Sequence, residues 1–149
     1  MASRRQIEGG TTVAATSQEI YQRYVWATAM ARNADAVAEM FTADGIIEAP
    51  LLAADKIFPQ RMQGREEIRR KLAAYYLRSA NPGRTVNPTK SRYVLHQTTD
   101  PDVFIVEIDA VFDGPGPDVN TTMSLVQIFR VRDGEIATMR DYFASDEVE

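Results

Sequence analysis

Residues 121–143 read TTMSLVQIFRVRDGEIATMRDYF, and the fold is decided here. Apolar and polar residues alternate with period two on both sides of Asp133–Gly134, a two-residue hairpin signal. Thr121–Arg132 and Ile136–Phe143 therefore read as strands. Upstream, the same period runs through Arg92–Thr98 and Val103–Phe112, joined by the turn Asp100–Pro101–Asp102. The breaker Gly114–Pro115–Gly116–Pro117 separates the second of these from Thr121.

Before Arg92 the period is that of helices. Thr16 followed by Glu19 is a capping-box signal, opening a helix to about Asn33 with Ile20, Tyr24, Ala27, Thr28 and Ala31 on one face. A short helix over Asp35–Phe41 stops at an Asp44–Gly45 turn, and Ile46–Ala49 is a short strand ended by Pro50. A third helix spans about Arg65–Arg78, stopped by Asn81–Pro82–Gly83. Residues 51–62 lack periodicity and read as a functional loop or lid. Helices first and antiparallel strands after predict an α+β fold: one curved antiparallel sheet with about three N-terminal helices on one side. Residues 1–14, small and polar, read as a disordered tail, and residues 15–149 as a single domain.

Composition narrows the chemistry. The 149 residues include no cysteine and one histidine, His96, which excludes disulfides, thiolate nucleophiles and multi-histidine metal clusters. No cofactor and no metal are expected, so catalysis rests on carboxylates, tyrosines and amides. No apolar run approaches the ~20 residues of a membrane span, and no apolar core follows the N-terminal arginines, so a cytoplasmic protein is expected. Residues 61–92 hold nine of the 17 Lys and Arg against two acids. With an acidic whole, net charge −4, this reads as a solvated helix face with Glu66–Arg70 and Glu67–Lys71 pairs, not a nucleic-acid surface.

Strand alternation places Glu107, Asp109, Gln127 and Asp141 between large apolar residues, the pattern of an apolar cavity holding a few polar groups. Carboxylates there would raise one another's pKa and suit acid–base work. Asp141, between Met139 and Phe143, is the strongest candidate. Glu107 and Asp109 have a plainer alternative, solvent or a basic partner at a sheet edge, and Asp141 has one in a neighbouring arginine. Both sheet faces look largely apolar, so helices should cover one and a second copy of the chain the other, giving a homodimer through the sheet.

Asn33–Ala34–Asp35, Phe41–Thr42–Ala43–Asp44, Ile47–Glu48–Ala49–Pro50, Gly64–Arg65–Glu66 and the run from Arg132–Asp133–Gly134 to Arg140–Asp141–Tyr142–Phe143 together resemble the NTF2-like superfamily. Within it they resemble the SnoaL-like group of polyketide cyclases, limonene epoxide hydrolase, ketosteroid isomerase relatives and phenazine-biosynthesis A/B proteins. The resemblance implies a cone-shaped α+β barrel, usually dimeric, with a ligand pocket between sheet and helices. It implies a catalytic acid at Asp141 and a partner acid at Asp109, where the hydrolase's intervening arginine is Glu107. It sets Gln127 at a cyclase histidine or isomerase oxyanion donor, and Tyr24 near the isomerase tyrosine. Thr98–Glu107 is closest to the phenazine proteins, whose third-helix histidine and serine correspond to Lys71 and Tyr75. The isomerase base position is Ala49, and the hydrolase's water-positioning tyrosine and asparagine fall at Ile47 and Ala49.

The function expected is cofactor-independent acid–base catalysis of cyclisation, isomerisation or condensation on an apolar, carbonyl-bearing or cyclic small molecule. Asp141, Asp109 and Glu107 are the catalytic set, and Gln127, Tyr24 and Tyr75 the substrate-binding set. His96 is expected to be structural and Lys71 a surface lysine. The alternative is a binding protein using the same pocket without chemistry.

Overall fold

The computed structural model describes residues 7–8, 11–12, 15–54, 56–78, 85–116 and 119–144. Ile7–Glu8 (β1) and Thr11–Thr12 (β2) pair antiparallel as a separate two-stranded ladder. The remainder of the expected tail lies outside the described residues.

Helix α1 (Ser17–Val25) begins where its capping box predicts. The Thr16 hydroxyl accepts from the Glu19 amide at 3.1 Å, and the Glu19 carboxylate accepts from the Thr16 amide at 2.9 Å. Two of the four donors that every helix start leaves unpaired are thus satisfied. From Trp26 to Met30 the helix widens into a π turn, closed by the Ala31 amide on the Trp26 carbonyl at 2.7 Å, and it ends short of Asn33. Asn33 instead caps α2 (Ala34–Glu39), its side chain accepting from the Ala36 amide at 3.0 Å.

Phe41 belongs to the next strand, not to α2. Strand β3 (Phe41–Glu48) contains Asp44–Gly45, which form an irregularity inside the strand where a turn was expected. Gly45 is needed there: a Cβ would lie 2.9 Å from the Phe41 Cβ and 3.1 Å from the Thr42 carbonyl. After the 51–60 loop come β4 (Arg61–Gln63), α3 (Arg65–Arg78), β5 (Thr85–Val86), β6 (Arg92–Gln97), β7 (Val103–Asp113), β8 (Asn120–Arg132) and β9 (Glu135–Tyr142). Asp133 and Gly134, both at positive φ (54° and 82°), make the two-residue turn between β8 and β9.

The sheet runs β4-β3-β9-β8-β7, with β5 and β6 both pairing β7. All these pairs are antiparallel except β3 with β9, which is parallel and corrects the all-antiparallel expectation. Alternation along a strand says nothing about which strand lies beside it. A parallel pair needs a long crossover, and here everything from β4 to β8 is that crossover.

The helices cover the inner face, where Phe41, Phe104, Phe129, Ile47, Met62, Ile68, Ile136 and Met139 form the main core. A smaller cluster of Ala49, Leu52 and Phe143 sits under the 51–60 loop. The outer face is more mixed than expected: half-buried Ile105, Val126, Ile128 and Tyr142 alternate with charged residues. Within the basic segment Arg61 pairs with Glu48, Arg65 with Glu135, Arg69 with Asp35 and Glu66, and Lys71 with Glu67. Glu66 thus takes Arg69, not Arg70. Among the described residues no helix is long and apolar enough to cross a membrane.

Gly45→Ala should destabilise the fold by about 1–3 kcal/mol, the cost of forcing atoms into a filled site. Urea unfolding checks this, and an unchanged midpoint would show that β3 yields without cost.

Candidate active site

The β8–β9 register places Gln127 directly opposite Asp141, with Val106 of β7 on the other side of Gln127. Both polar residues point inward and are buried, at 7% and 9% exposure. They lie on a seam between the two apolar clusters. Phe129 and Met139, on one side, belong to the main core; Leu125 and Phe143, on the other, belong to the cluster under the loop.

Burial pushes the Asp141 carboxyl up to about 7, and a side-chain hydrogen bond with Gln127 only partly offsets it. Its Oδ1 has no hydrogen-bond partner, an exception for so buried an atom. Two phenols of α1, Tyr21 and Tyr24, are close enough to feel the charge of Asp141. Both are pushed up, first by burial, then by neighbouring tyrosines and Asp141.

A cavity of about 310 Å³ opens beside this seam, between α1 with its π turn and the inner face of β6–β8. Tyr21, Tyr24 and Tyr93 form an aromatic wall, Ile108, Ala110 and Leu125 an aliphatic one, and Gln127 stands at the inner end. Two other polar side chains in the lining are already spent. The Thr28 hydroxyl donates to the Tyr24 carbonyl at 2.8 Å, and the Ser91 hydroxyl to the Asn87 carbonyl at 2.7 Å. Asp141 is not in the cavity wall; it lies across the strand pair from Gln127.

Glu107 and Asp109 do not join this site. Both are exposed on the outer face, Glu107 bonded to His96 Nε2 at 2.7 Å and Asp109 accepting from the Ser124 hydroxyl at 2.7 Å. Sorting within each strand was sound. What failed was matching faces between strands, because the register sets Phe104, Val106 and Ile108 of β7 on the face of Gln127 and Asp141. The expected trio of interacting carboxylates is therefore reduced to one. His96 is half-exposed beside Glu107 on the outer face, away from the cavity.

Tyr75 packs edge-on against Phe58, whose ring also meets Phe143, so it stands in the loop-side aromatic cluster and not in the cavity wall. Tyr24 stands in the cavity wall. Tyr21 was overlooked; its spacing of three residues from Tyr24 puts both phenols on one helix face. Among the described residues no three carboxylate or histidine side chains converge as a metal site would require.

Residues 21–139 match the family model of the SnoaL-like domain. The chain belongs to that family. The architecture is NTF2-like: three helices on a curled mixed sheet that forms a half-barrel. No curated protein matches the sequence. Among solved structures, an isomerase candidate from Bacillus subtilis is similar at 16% identity and TM-score 0.66, covering 85% of both chains. SalBIII, the epoxide hydrolase/cyclase-like enzyme of pyran ring formation in the polyether salinomycin, is 21% identical over 88% of this chain and 92% of its own, with TM-score 0.58. A phenazine biosynthesis-related protein from Pseudomonas aeruginosa is 17% identical over 85% and 82%, with TM-score 0.54. These likenesses concern the SnoaL-like fold alone.

In the folded chain Asp141 holds its proton up to about pH 7, whereas an unfolded aspartate ionises near ~3.9. Its contribution is complete below the unfolded value and is lost as pH rises through the folded one. The unfolding free energy of the native chain should therefore fall between pH 4 and 8 by roughly 3–4 kcal/mol relative to Asp141→Asn. Urea melts of both across that range test it; a difference independent of pH would refute the buried acid.

Proposed function

We propose that this SnoaL-like protein is a cofactor-independent acid–base enzyme acting on an apolar, carbonyl-bearing or cyclic small molecule. The observation carrying this reading is Asp141: a buried carboxyl with a pKa near neutrality and an unspent Oδ1, paired across the strands with Gln127, which stands at the inner end of an apolar cavity. A group balanced between its two forms at working pH can both take and return a proton.

In the proposed reaction the substrate enters with its carbonyl towards Gln127. The Gln127 amide and the Tyr24 and Tyr21 hydroxyls donate to the carbonyl oxygen. Ionised Asp141 removes a proton from the adjacent carbon, and the negative charge moves onto the oxygen, where the donors stabilise it. Protonated Asp141 then returns the proton to a different carbon, or the carbanion adds to a second carbonyl of the same substrate. In the second case that carbonyl's π electrons move to oxygen, and Asp141 returns the proton to the alkoxide. Glu107 and Asp109 take no part. The names of two fold relatives, an isomerase candidate and a cyclase-like enzyme, accord with chemistry of this class.

A second reading, a ligand-binding protein without chemistry, draws support from Asp141 lying outside the cavity wall. One assay separates the two. 2-Tetralone, a cyclic ketone with exchangeable α-protons, is followed by NMR in heavy water. The enzyme reading expects exchange above buffer that falls by about 100-fold or more in Asp141→Asn. Binding of 2-tetralone with no exchange above buffer favours the binding protein.

The same reading includes a homodimer through the outer face. Half-buried Ile105, Val126, Ile128 and Tyr142, with exposed Val94, form the apolar part of that face. A second copy would remove it from water. Sedimentation should give a dimer for the native chain and a monomer for Val126→Glu; a monomeric native chain would end this part of the proposal.

A further inference from the structure

The cavity wall supplied by the first helical segment changes character along its length. Tyr21, Tyr24, Val25 and Thr28 line it at steps of three, one and three, the face of an ordinary α-helix. Ala29 and Met30 line it as well, so three consecutive residues, Thr28, Ala29 and Met30, face the same space. An α-helix turns through roughly 100° per residue and cannot present three neighbours to one side. A helix closing on i→i+5 bonds turns through less per residue, so its neighbours diverge less.

The backbone bonds match that account. The Ala31 amide reaches the Trp26 carbonyl at 2.7 Å, five residues back, and the Asn33 amide reaches the Ala27 carbonyl at 2.9 Å, six back. The Thr28 hydroxyl bonds back to the Tyr24 carbonyl at 2.8 Å, keeping its polar group on its own helix. Ala29 leaves this part of the wall shallow. Met30, 49% exposed, stands at the rim, with Pro88 and Ser91 also in the lining.

We propose that the π turn Trp26–Met30 is the specificity element of the cavity: it sets how broad a ring system fits, and Met30 is the residue at the mouth that reads that breadth. The inference deepens the functional reading above only in taking this cavity as the ligand site; it does not depend on Asp141 being catalytic. The ligand class it implies is planar and apolar with a polar end, because the π-turn wall is apolar, Gln127 stands at the inner end and Arg92 is the one charged side chain among the described residues of the lining.

Two fluorescent phenols with the same polar handle, 2-naphthol and the broader 1-hydroxypyrene, serve as probes. The variants are deletion of Ala29, which returns the segment to α periodicity, and the rim substitutions Met30→Trp and Met30→Ala, which remain informative should the deletion fail to fold. The native chain is expected to bind both phenols. Met30→Trp and the deletion should weaken 1-hydroxypyrene at least about tenfold more than 2-naphthol, within what small changes of pocket volume achieve, while Met30→Ala should spare both. Equal changes for the two phenols, or no change, would overturn the proposal. A native chain that binds neither would overturn it together with the cavity as ligand site. Size selection with no 2-tetralone exchange would sink the catalytic reading alone.

Discussion

One extra residue in β9 decides which way the chemistry of this protein points. Next to the Asp133–Gly134 turn, Val131 pairs with Ile136; past the irregularity, Arg130 pairs with Thr138 and Gln127 with Asp141. Had the first register continued, Gln127 would face Arg140 and Asp141 would turn to the outer face, since shifting a strand by one residue exchanges its two sides. The bulge also explains how Ile136 and Met139, an even and an odd position of one strand, are both buried. The inner end of the cavity and the raised pKa of Asp141 follow from this single interruption of the ladder.

An acid so placed works against the fold that holds it. Burying a carboxyl without full hydrogen bonding is unfavourable, and the chain lowers the cost by keeping Asp141 protonated up to about pH 7. Several polar groups that serve structure are satisfied: Thr28 and Ser91 on backbone carbonyls, Glu107 on His96, Asp109 on Ser124. Among the described residues, Asp141 shares its lack of a partner only with single oxygens of Glu19 and Thr138. An unpaired buried oxygen against that background is the mark of a site where stability yields to use.

What the sequence disclosed was mainly local. The Thr16–Glu19 box, helix α3 and the Asp133–Gly134 turn are each specified by residues within one or two turns of chain, and the structure has them where those signals lie. The burial of Asp141 was legible for a similar reason, its flanking Met139 and Phe143. Non-local features were not. The parallel pairing of β3 with β9, the short β4 and β5, and the irregularities in β3 and β9 depend on partners far along the chain. The misplacing of Glu107 and Asp109 belongs with these, because faces cannot be matched across strands without the register. Tyr21 could have been found from its spacing to Tyr24, had both been weighed as one face of α1.

The seam between the two apolar clusters bears on how such a scaffold diversifies. The main core holds the helices on the sheet, whereas Ala49, Leu52 and Phe143 gather the 51–60 loop, the end of the last strand and Leu125 of β8, with Phe58 touching both clusters. Substitutions at well-separated sites tend to act independently. Lineages could thus remodel the loop-side cluster next to Asp141 while the main core keeps its sequence. A boundary of this kind lets one ancestral frame be inherited intact while its substrates turn over.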